Sequence, residues 1–466
     1  MTLENKFTYW IYQNSPIWFQ NFLVSSTGIL ENRGRFNNEF EGFSEFLTQS
    51  KKFSKNEVVE YQRHSLRKLI NHAYKTVPYY YHIFKDLKLN PNDVKNEEEL
   101  KKLPMLTKEM LTHNSHSLIS RNIPKRDLIP VHTSGTTGTA IKFMWTKTGL
   151  AREFAFIWAK RRPGVNINDL HASFNARKIV PIKQKSPPFW RVNRKANQIL
   201  FSQYHISPNN ALSYLNYLND QPFIYYDGYP SSLYLLADLA LQNNITIRKP
   251  PVAIYTSSET LLEWQKSTIE NTFKTKIIDS YGSAEQGALA VQCVYGNYHF
   301  IPEYGIVELI PVAKEGDLIK AEIISTSFLN YGMPMIRYRL NDHVLMSKDK
   351  KCQCGFEGAI IKQIDGRIED TIITPNGSLI GRMDHVFKDL TKIRESQIVQ
   401  YRPEEIIIKI VRRPSYDKLE EETLLNELKA RLGQEMKIQI EYVNFIERTS
   451  HGKFRAVISN IDTTKS

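Results

Sequence analysis

Cysteine is scarce in this sequence, since its 466 residues include only three. Three thiols cannot form the disulfide framework of a small secreted domain, and we expect a chain that folds in the reducing cytosol. A long apolar run is also missing, because the aromatic stretch 7–30 is interrupted by residues such as Gln13, Asn14 and Pro16 and is too polar to span a bilayer. Residues 1–6 contain no basic segment leading into an apolar run, so we expect no signal peptide.

The aromatic stretch 7–30 has two interpretations. Trp10, Trp18 and Phe22 are among its large side chains. They either pack on the body of the protein or lie at a membrane surface, where aromatic side chains insert into the interfacial region. The second interpretation implies peripheral contact with the inner face of the cell membrane.

Acidic residues are outnumbered, with 49 Asp and Glu against 62 Lys and Arg and a net charge of +13. Such an excess suits nucleic acid, anionic lipid or a polyanionic substrate. The basic residues are scattered along the chain, however, and no groove motif of aromatic and basic residues stands out, so we expect no nucleic-acid partner. With 41% hydrophobic and 24% charged residues, the composition excludes a disordered or fibrous chain.

Periodicity indicates an α/β fold. Residues 52–85 carry apolar residues at helical spacing, and Ser54 with Glu57 forms a capping box. From about residue 125, short apolar runs alternate with helical patterns, which is typical of a mainly parallel sheet. Residues 304–346 read as consecutive strands instead.

We expect two domains, with a boundary near Asp365-Gly366. Residues 1–365 form the large domain of layered sheets and helices. Residues 366–466 form a small α+β domain, because their pattern is helix 382–389, strand 397–401, strand 405–411, helix 416–432 and strand 437–443. A ferredoxin-like arrangement is the simplest expectation for this order.

The sharpest local motif is the loop His132-Thr-Ser-Gly-Thr-Thr-Gly-Thr139, between two apolar runs. Backbone N–H groups and hydroxyls of such a loop can surround a phosphate, because glycine lets the backbone approach closely. It is not a Walker A loop, which needs Gly-Lys-Ser/Thr where this chain has Gly138-Thr139-Ala140. Taken alone, the loop fits a polar hairpin turn equally well.

Four later segments favour the phosphate interpretation. They are Asp279-Ser-Tyr-Gly-Ser-Ala-Glu285, Tyr338-Arg-Leu-Asn-Asp342, Gly366-Arg367-Ile-Glu-Asp370 and Gly452-Lys453-Phe-Arg455. In this order the five motifs resemble those of the acyl-adenylate-forming ligases, and in particular the phenylacetate–CoA ligase type. The segments 228–231 and 255–259 are similar to that branch too, and 16–24 resembles its members from capsular polysaccharide synthesis (CapK-like).

The resemblance implies roles for individual residues. The nucleotide would be bound by a set drawn from all the motifs: Ser134, Gly135, Thr136, Thr137 and Gly138 on the ATP phosphates, Ser258, Glu259, Tyr281 and Gly282 around the adenine, and Asp342 and Arg367 on the ribose. Glu285 would hold Mg²⁺, which prefers oxygen ligands. Lys453 would place its positive charge between the carboxylate and the α-phosphate. Both Glu285 and Lys453 are therefore expected in the catalytic machinery.

Three positions depart from the family pattern or invite a false assignment. The acid two residues after Gly-Arg is Glu369, and Leu340-Asn341 replaces the usual Thr-Gly before Asp342. Lys142 lies one place late for the loop lysine of other adenylating enzymes, and we assign it no role.

The three cysteines and one histidine form a second motif, Cys293-x5-His299 and Cys352-Gln-Cys354-Gly355. Three thiols and an imidazole are a ligand set for a structural tetrahedral zinc ion, and the glycine permits a tight turn. The alternative is three free cysteines of ordinary cytosolic type.

The expected activity is ATP-dependent formation of an acyl-adenylate from a small carboxylic acid, with ATP, Mg²⁺ and structural Zn²⁺ required. The acyl group would then pass to an amine or hydroxyl of a saccharide or amino acid, in cell-surface polysaccharide synthesis. Two alternatives stay open: an acyl-CoA ligase that uses CoA as acceptor, and a non-catalytic scaffold for polysaccharide assembly.

Overall fold

The computed structural model describes residues 6–132, 142–175, 177, 179–181, 183–367, 372–375, 379–380, 383–387, 390, 392–448 and 454–461. The helices are α1 Lys6–Asn14, α2 Ile17–Arg35, α3 Asn38–Gln49, α4 Lys55–Thr76, α5 Pro78–Asp86, α6 Glu97–Leu100, α7 Lys108–His113, α8 Lys147–Phe156, α9 Ala211–Asp220, α10 Pro230–Gln242, α11 Glu263–Phe273 and α12 Lys418–Leu432.

The strands are β1 Leu128–His132, β2 Lys142–Thr146, β3 His171–Phe174, β4 Trp190–Asn193, β5 Gln198–Phe201, β6 Tyr225–Gly228, β7 Ala253–Ser257, β8 Ile277–Gly282, β9 Leu289–Gln292, β10 Tyr298–Phe300, β11 Gly305–Glu315, β12 Leu318–Ser327, β13 Tyr338–Met346, β14 Ile361–Arg367, β15 Ile372–Ile373, β16 Leu379–Ile380, β17 Ile393–Arg402, β18 Glu405–Arg412, β19 Lys437–Tyr442 and β20 Val457–Ser459.

The mixed α/β fold expected from the sequence is confirmed. A twelve-stranded sheet has the order β11-β12-β13-β14-β10-β9-β8-β7-β6-β3-β5-β4. Its strands β5, β3, β6, β7 and β8 run parallel to one another, and most of the remaining pairs are antiparallel. Most residues of these parallel strands are buried, as is usual for the parallel part of an α/β sheet.

The capping box at the start of α4 is confirmed as well. The Ser54 side chain accepts from the backbone N–H of Glu57, and the Glu57 carboxylate accepts from the backbone N–H of Ser54. The helix ends at Thr76, because Val77-Pro78 starts the separate helix α5.

A four-stranded sheet, ordered β19-β18-β17-β20, forms the small C-terminal domain with α12. Its own apolar core includes Ile398, Ile408, Leu424 and Leu428. The expected helix over 382–389 is instead a short 3₁₀ helix over residues 383–387. Strand β14 of the large sheet continues to Arg367, and the small domain's core begins at Ile372.

The small domain docks on α10 of the large domain through charged groups. Asp238, on α10, is 3% exposed and pairs with Arg413 at 2.5 Å and Arg394 at 3.6 Å. Tyr234, one turn earlier, accepts a hydrogen bond from Arg413 at 3.1 Å and donates to the Arg394 carbonyl. Both contacts hold strands β17 and β18 against the large domain.

The helices α1 and α2 take up the aromatic N-terminal stretch, and one face packs on the body as the first interpretation expected. Tyr12 is buried and donates to the Ile179 carbonyl at 2.6 Å, and Gln20 accepts from the buried Arg191 at 2.6 Å. The opposite face is open, since Trp10 is 62% and Trp18 70% exposed. In the described part of the chain, no helix is long and apolar enough to cross a membrane.

Candidate active site at the carboxyl ends of the parallel strands

Tyr281 and Asp342 meet at one edge of the large sheet, although they are far apart in the sequence. The Tyr281 hydroxyl donates to Asp342 Oδ2 at 2.5 Å. Tyr281 lies at the carboxyl end of β8, the position where open α/β sheets bind their ligands. Asp342 is on β13 and pairs in register with Arg367 on β14, so the backbones of the two expected ribose ligands are neighbours.

Gly282 ends β8, and Glu285 follows it in the turn before β9. Glu285 is 7% exposed. A buried carboxylate beside the strand ends offers the oxygen ligands that Mg²⁺ prefers, so this residue fits the expected metal role.

The residues Ser134, Gly135, Thr136, Thr137 and Gly138 lie outside the described part of the chain. The strands on both sides of them are described: β1 and β2 pair antiparallel, and His132 is in register with Lys142. On β2, Trp145 Nε1 donates to the Ala284 carbonyl at 3.1 Å. This bond fixes the base of the loop next to the turn that carries Glu285.

Ser258 and Glu259 follow β7 at the same edge. Ser258 has φ +74°, a left-handed backbone conformation that is uncommon for a residue with a side chain and concentrates at functional sites. Glu259 accepts from Ser231, at the start of α10, through both the backbone N–H and the hydroxyl. Burial raises the pKa of Glu259, because an enclosed carboxylate is poorly solvated, and the hydrogen bonds from Ser231 and Phe454 act in the opposite direction.

Glu259 also contacts the small domain, which the sequence did not indicate. Its Oε1 accepts from the backbone N–H of Phe454 at 2.5 Å. Lys453, the residue before Phe454, lies outside the described part of the chain. The contact nevertheless places the chain directly after Lys453 at the strand ends that carry the other motifs.

A group of polar side chains lines a cavity at this edge, including Arg161 and Arg162, for which the sequence left open contact with an anionic acceptor or CoA phosphates and a solvated face. Arg162 forms an ion pair with Asp227, at the end of β6. Arg161 donates through Nε to Ser280 Oγ at 3.0 Å. Arg161 ends a π-helical turn, Ile157–Arg161, and Arg162 follows it; such turns are frequent at functional sites. The signal in the sequence that indicates such a group is Asp227, a carboxylate directly before Gly228 at the end of a strand.

Gly228 itself is required by the packing of β6 on β3. A Cβ atom at this position would lie 2.7 Å from the Phe174 carbonyl oxygen, which is too close for any side chain without a backbone shift. The glycine therefore brings Asp227 and the cavity wall close to β3.

Two buried carboxyl groups lie near Arg161. Asp279, on β8, accepts from Thr256 at 2.5 Å and from Tyr298 at 2.6 Å, and burial raises its pKa to about 6. Glu153, on α8, accepts from the Tyr304 hydroxyl at 2.6 Å, and burial raises its pKa as well. Each carboxyl group is thus satisfied by neutral hydroxyl donors.

The second expected site also assembles. The ligand atoms of Cys293, His299, Cys352 and Cys354 all lie within 4.8 Å of one another. Cys293 Sγ is 3.9 Å from Cys352 Sγ, and Cys354 Sγ is 3.2 Å from His299 Nε2. In a tetrahedral zinc site with Zn–S bonds of about 2.3 Å, neighbouring sulfurs are about 3.8 Å apart, so the described geometry fits zinc.

Two matching turns present these ligands. The Gly296 N–H donates to the Cys293 carbonyl, and the Gly355 N–H donates to the Cys352 carbonyl. Both glycines have positive φ, +78° and +92°, which closes each turn around its thiol. The site joins the β9–β10 hairpin to the segment between β13 and β14.

The fold is that of the AMP-forming acyl-adenylate ligases. The chain is similar to 2-hydroxyisobutyryl-CoA ligase in the postadenylation state in complex with R3-HIB-AMP. The two share 18% identity and a TM-score of 0.64, over 85% of this chain and 88% of the other. It is also similar, at 19% identity and a TM-score of 0.54 over 87% of this chain and 90% of the other, to that ligase in complex with 2-HIB-AMP and CoA in the thioesterification state.

Within that fold class the chain is similar to CapK. It is 29% identical to Protein CapK of Staphylococcus aureus over 97% of this chain and 99% of that protein. Residues 372–460 match the family model described as the CapK C-terminal domain. The family resemblance expected from the motifs is thereby confirmed.

Proposed function

We propose that this chain is an ATP-dependent ligase that converts a carboxylic acid to an acyl-adenylate and releases pyrophosphate. The observation that carries the proposal is the hydrogen bond between Tyr281 and Asp342 at the strand ends, beside the buried Glu285. An aromatic ring, a carboxylate for ribose hydroxyls and a carboxylate for Mg²⁺ are what a nucleotide site needs. The similarity to CapK and the fold agree with this assignment.

In the proposed reaction, a carboxylate oxygen of the acid attacks the α-phosphorus of ATP, and the bond from that phosphorus to pyrophosphate breaks. Two anions must approach each other, so positive charge has to be supplied where they meet. Lys453 would supply it from the small domain, and the loop 134–138 would hold the phosphates. Bound at Glu285, Mg²⁺ would neutralise phosphate charge. Asp342 and Arg367 would orient the ribose, and Ser258, Glu259 and Gly282 would border the adenine.

We further propose that the acyl group passes to an amine or hydroxyl of a saccharide or amino acid, in the cytoplasm. The likeness to CapK and to capsule-type relatives supports this acceptor. The second candidate acceptor is CoA, which is favoured by the fold of the ligase whose structure contains 2-HIB-AMP and CoA. In both cases the adenylate is the common intermediate.

Pyrophosphate release across a panel of carboxylic acids tests the first step, with Lys453→Ala as the inactive control. Absence of pyrophosphate with every acid would favour a non-catalytic scaffold. Mass spectrometry of products formed with CoA and an amino sugar offered together tests the second step, because acyl-CoA without any acylated sugar would decide for the CoA ligase.

A structural zinc ion is part of the proposal. Cys293, His299, Cys352 and Cys354 form a closed set of four ligands, which leaves no open position for chemistry. The ion would tie β10 to the turn before β14, so it would stabilise the large sheet.

Peripheral membrane contact is proposed for the outer face of α1 and α2. Trp10, Trp18 and Phe22 are 62%, 70% and 59% exposed, which is unusual for aromatic side chains in water. Co-sedimentation with anionic vesicles should fall when Trp18 and Phe22 are both changed to serine, and equal sedimentation of the variant would contradict the contact.

A further inference from the structure

The cavity beside the proposed nucleotide site has a volume of about 230 Å³. Its wall includes Arg161, Asp227, Tyr255, Ser257 and Ser280, at the carboxyl ends of β6, β7 and β8. Pockets for drug-sized ligands usually measure about 300–1,000 Å³, so this cavity suits a small molecule. The wall combines charged and polar groups with the apolar surfaces of Ile157 and Tyr229, so it suits a small acid that carries a second polar group.

Three consecutive basic residues differ in their partners. Lys160 forms an ion pair with Glu303 at 2.7 Å, and Arg162 forms one with Asp227. Arg161, between them, donates only through Nε to Ser280 Oγ, and it forms no ion pair with any residue that the structure describes. Because a guanidinium group carries five N–H donors in a planar fork, the terminal nitrogens of Arg161 remain available to the cavity.

Glu153 and Asp279 are the carboxyl groups whose charges attract Arg161, but they do not occupy its terminal nitrogens. Glu153 is bonded to the Tyr304 hydroxyl, and Asp279 to Thr256 and Tyr298. Both contribute attraction that keeps Arg161 charged against the effect of burial, which lowers its pKa. Neither accepts a hydrogen bond from its guanidinium group.

Two neighbouring residues of β8, Ser280 and Tyr281, show where Arg161 lies relative to the proposed nucleotide site. Successive side chains of a strand point to opposite faces, so Ser280 faces Arg161 while Tyr281 faces Asp342. Ser257, the register partner of Ser280 on β7, and Ser258 line the same cavity and precede Glu259, which contacts Phe454. An acid whose reactive carboxylate lies beside Glu259 and Phe454 would therefore have Arg161 within the same cavity to bind its far end.

We propose that the acid substrate is a small acid with a second carboxylate or equivalent oxyanion, which Arg161 binds through its terminal nitrogens. A neutral far end would leave this enclosed cation without a counter-ion at hydrogen-bond distance, which is unfavourable in a partly desolvated site. An amine would be repelled by the positive charge of Arg161, which forms no ion pair with any described residue. This inference rests on the proposed adenylation activity and names its substrate class.

The test compares acids that share one skeleton and differ at the far end: butyrate, 4-hydroxybutyrate, 4-aminobutyrate and succinate, with 3-substituted benzoates as a second series. Pyrophosphate release gives kcat/KM, and calorimetric titration of each acid gives its affinity. Charge-assisted hydrogen bonds contribute enough that we expect the dicarboxylate to be favoured by roughly 10- to 100-fold in at least one series.

Arg161→Gln should remove this preference by raising KM for the dicarboxylate, while KM for ATP stays the same. Arg161→Lys should restore part of it, because the charge is retained but the planar fork is lost. Arg63→Gln, on the exposed surface of α4, is the matched control and should behave as the wild type.

The outcomes separate the two levels of the proposal. Preference of the wild type for a methyl, hydroxyl or amine end, or an unchanged preference in Arg161→Gln, would overturn the substrate class and leave adenylation standing. If none of the acids supports pyrophosphate release, the adenylation activity is contradicted. The calorimetric comparison of succinate with butyrate would then still decide whether Arg161 binds a second carboxylate. If Arg161→Gln fails to fold, the wild-type series alone decides.

Discussion

Asp238→Asn tests whether the small domain is held against the large domain by one buried carboxylate. Asp238 is 3% exposed and pairs with Arg413 and Arg394, which are 22% and 15% exposed. The substitution keeps the volume of the side chain but leaves both guanidinium groups without their counter-charge. The helix α10 itself should be little affected, because its apolar residues remain packed.

The magnitude follows from the burial of the three groups. Removing one partner of a buried, hydrogen-bonded charge pair costs about 2–5 kcal/mol, and the partial exposure of the arginines favours the lower end, about 2–3 kcal/mol. That corresponds to a ~30- to 150-fold fall in the ratio of docked to undocked molecules. Phe454 contacts Glu259 only when the domains are docked. If the substitution makes the undocked form the major one, the rate of single-turnover adenylate formation should fall in proportion to the fraction of docked molecules.

Small-angle scattering measures domain docking directly, and rapid-quench assays measure adenylate formation. The matched control is Asp220→Asn, because Asp220 pairs with Arg248 at 3.7 Å with both side chains more than 60% exposed. Breaking an exposed pair costs about 0–1 kcal/mol, so this variant should resemble the wild type. Identical scattering and identical adenylation rates in Asp238→Asn would refute the assigned role of Asp238.

Three further predictions concern the proposed catalytic lysine, the proposed zinc site and pH. Lys453→Ala should nearly abolish adenylate formation with little change in ATP affinity, because its charge is needed mainly in the transition state, and unchanged pyrophosphate exchange would refute this. The purified protein should contain about one zinc per chain, and Cys354→Ser should lower the melting temperature and the zinc content together; metal-free native protein by elemental analysis would contradict the site. The raised pKa of Asp279, about 6, implies a contribution to stability that is present below about pH 4 and is lost as the pH rises through 6. Asp279→Asn should flatten that pH dependence of the melting temperature, and a fall between pH 4 and 7 as steep as in the wild type would show that another group is responsible.

Much of the local structure was predictable because it depends on residues close in sequence. The capping box of Ser54 and Glu57 needs only a three-residue spacing. The strands β17 and β18 and the helix α12 follow from apolar periodicity over one element each. The helix expected over 382–389 was wrong in type, since a segment this short is assigned by its packing more than by its pattern.

The candidate site was also predictable only in part: its motif residues could be recognised in the sequence, but their contacts could not. Tyr281, Glu285 and Asp342 were recognisable from motifs, but the contact of Tyr281 with Asp342 is a property of the folded sheet, because β14, β10 and β9 separate β8 from β13 in the strand order. Arg161 was indistinguishable from its neighbours Lys160 and Arg162 in the sequence. It differs from them only because each neighbour finds a carboxylate partner in the folded chain.

The sequence by itself determined the class of fold, the order of the motifs and the residues of the cysteine–histidine cluster, because residue type and spacing along one chain carry that information. The tertiary structure alone decided which charges are paired. Asp238 meets two arginines more than 150 positions away, Glu259 meets the backbone of Phe454, and Arg161 is left facing a cavity. Ion pairs and cavity walls form between segments that are distant in sequence, and their free energy depends on burial, which exists only after the chain has folded.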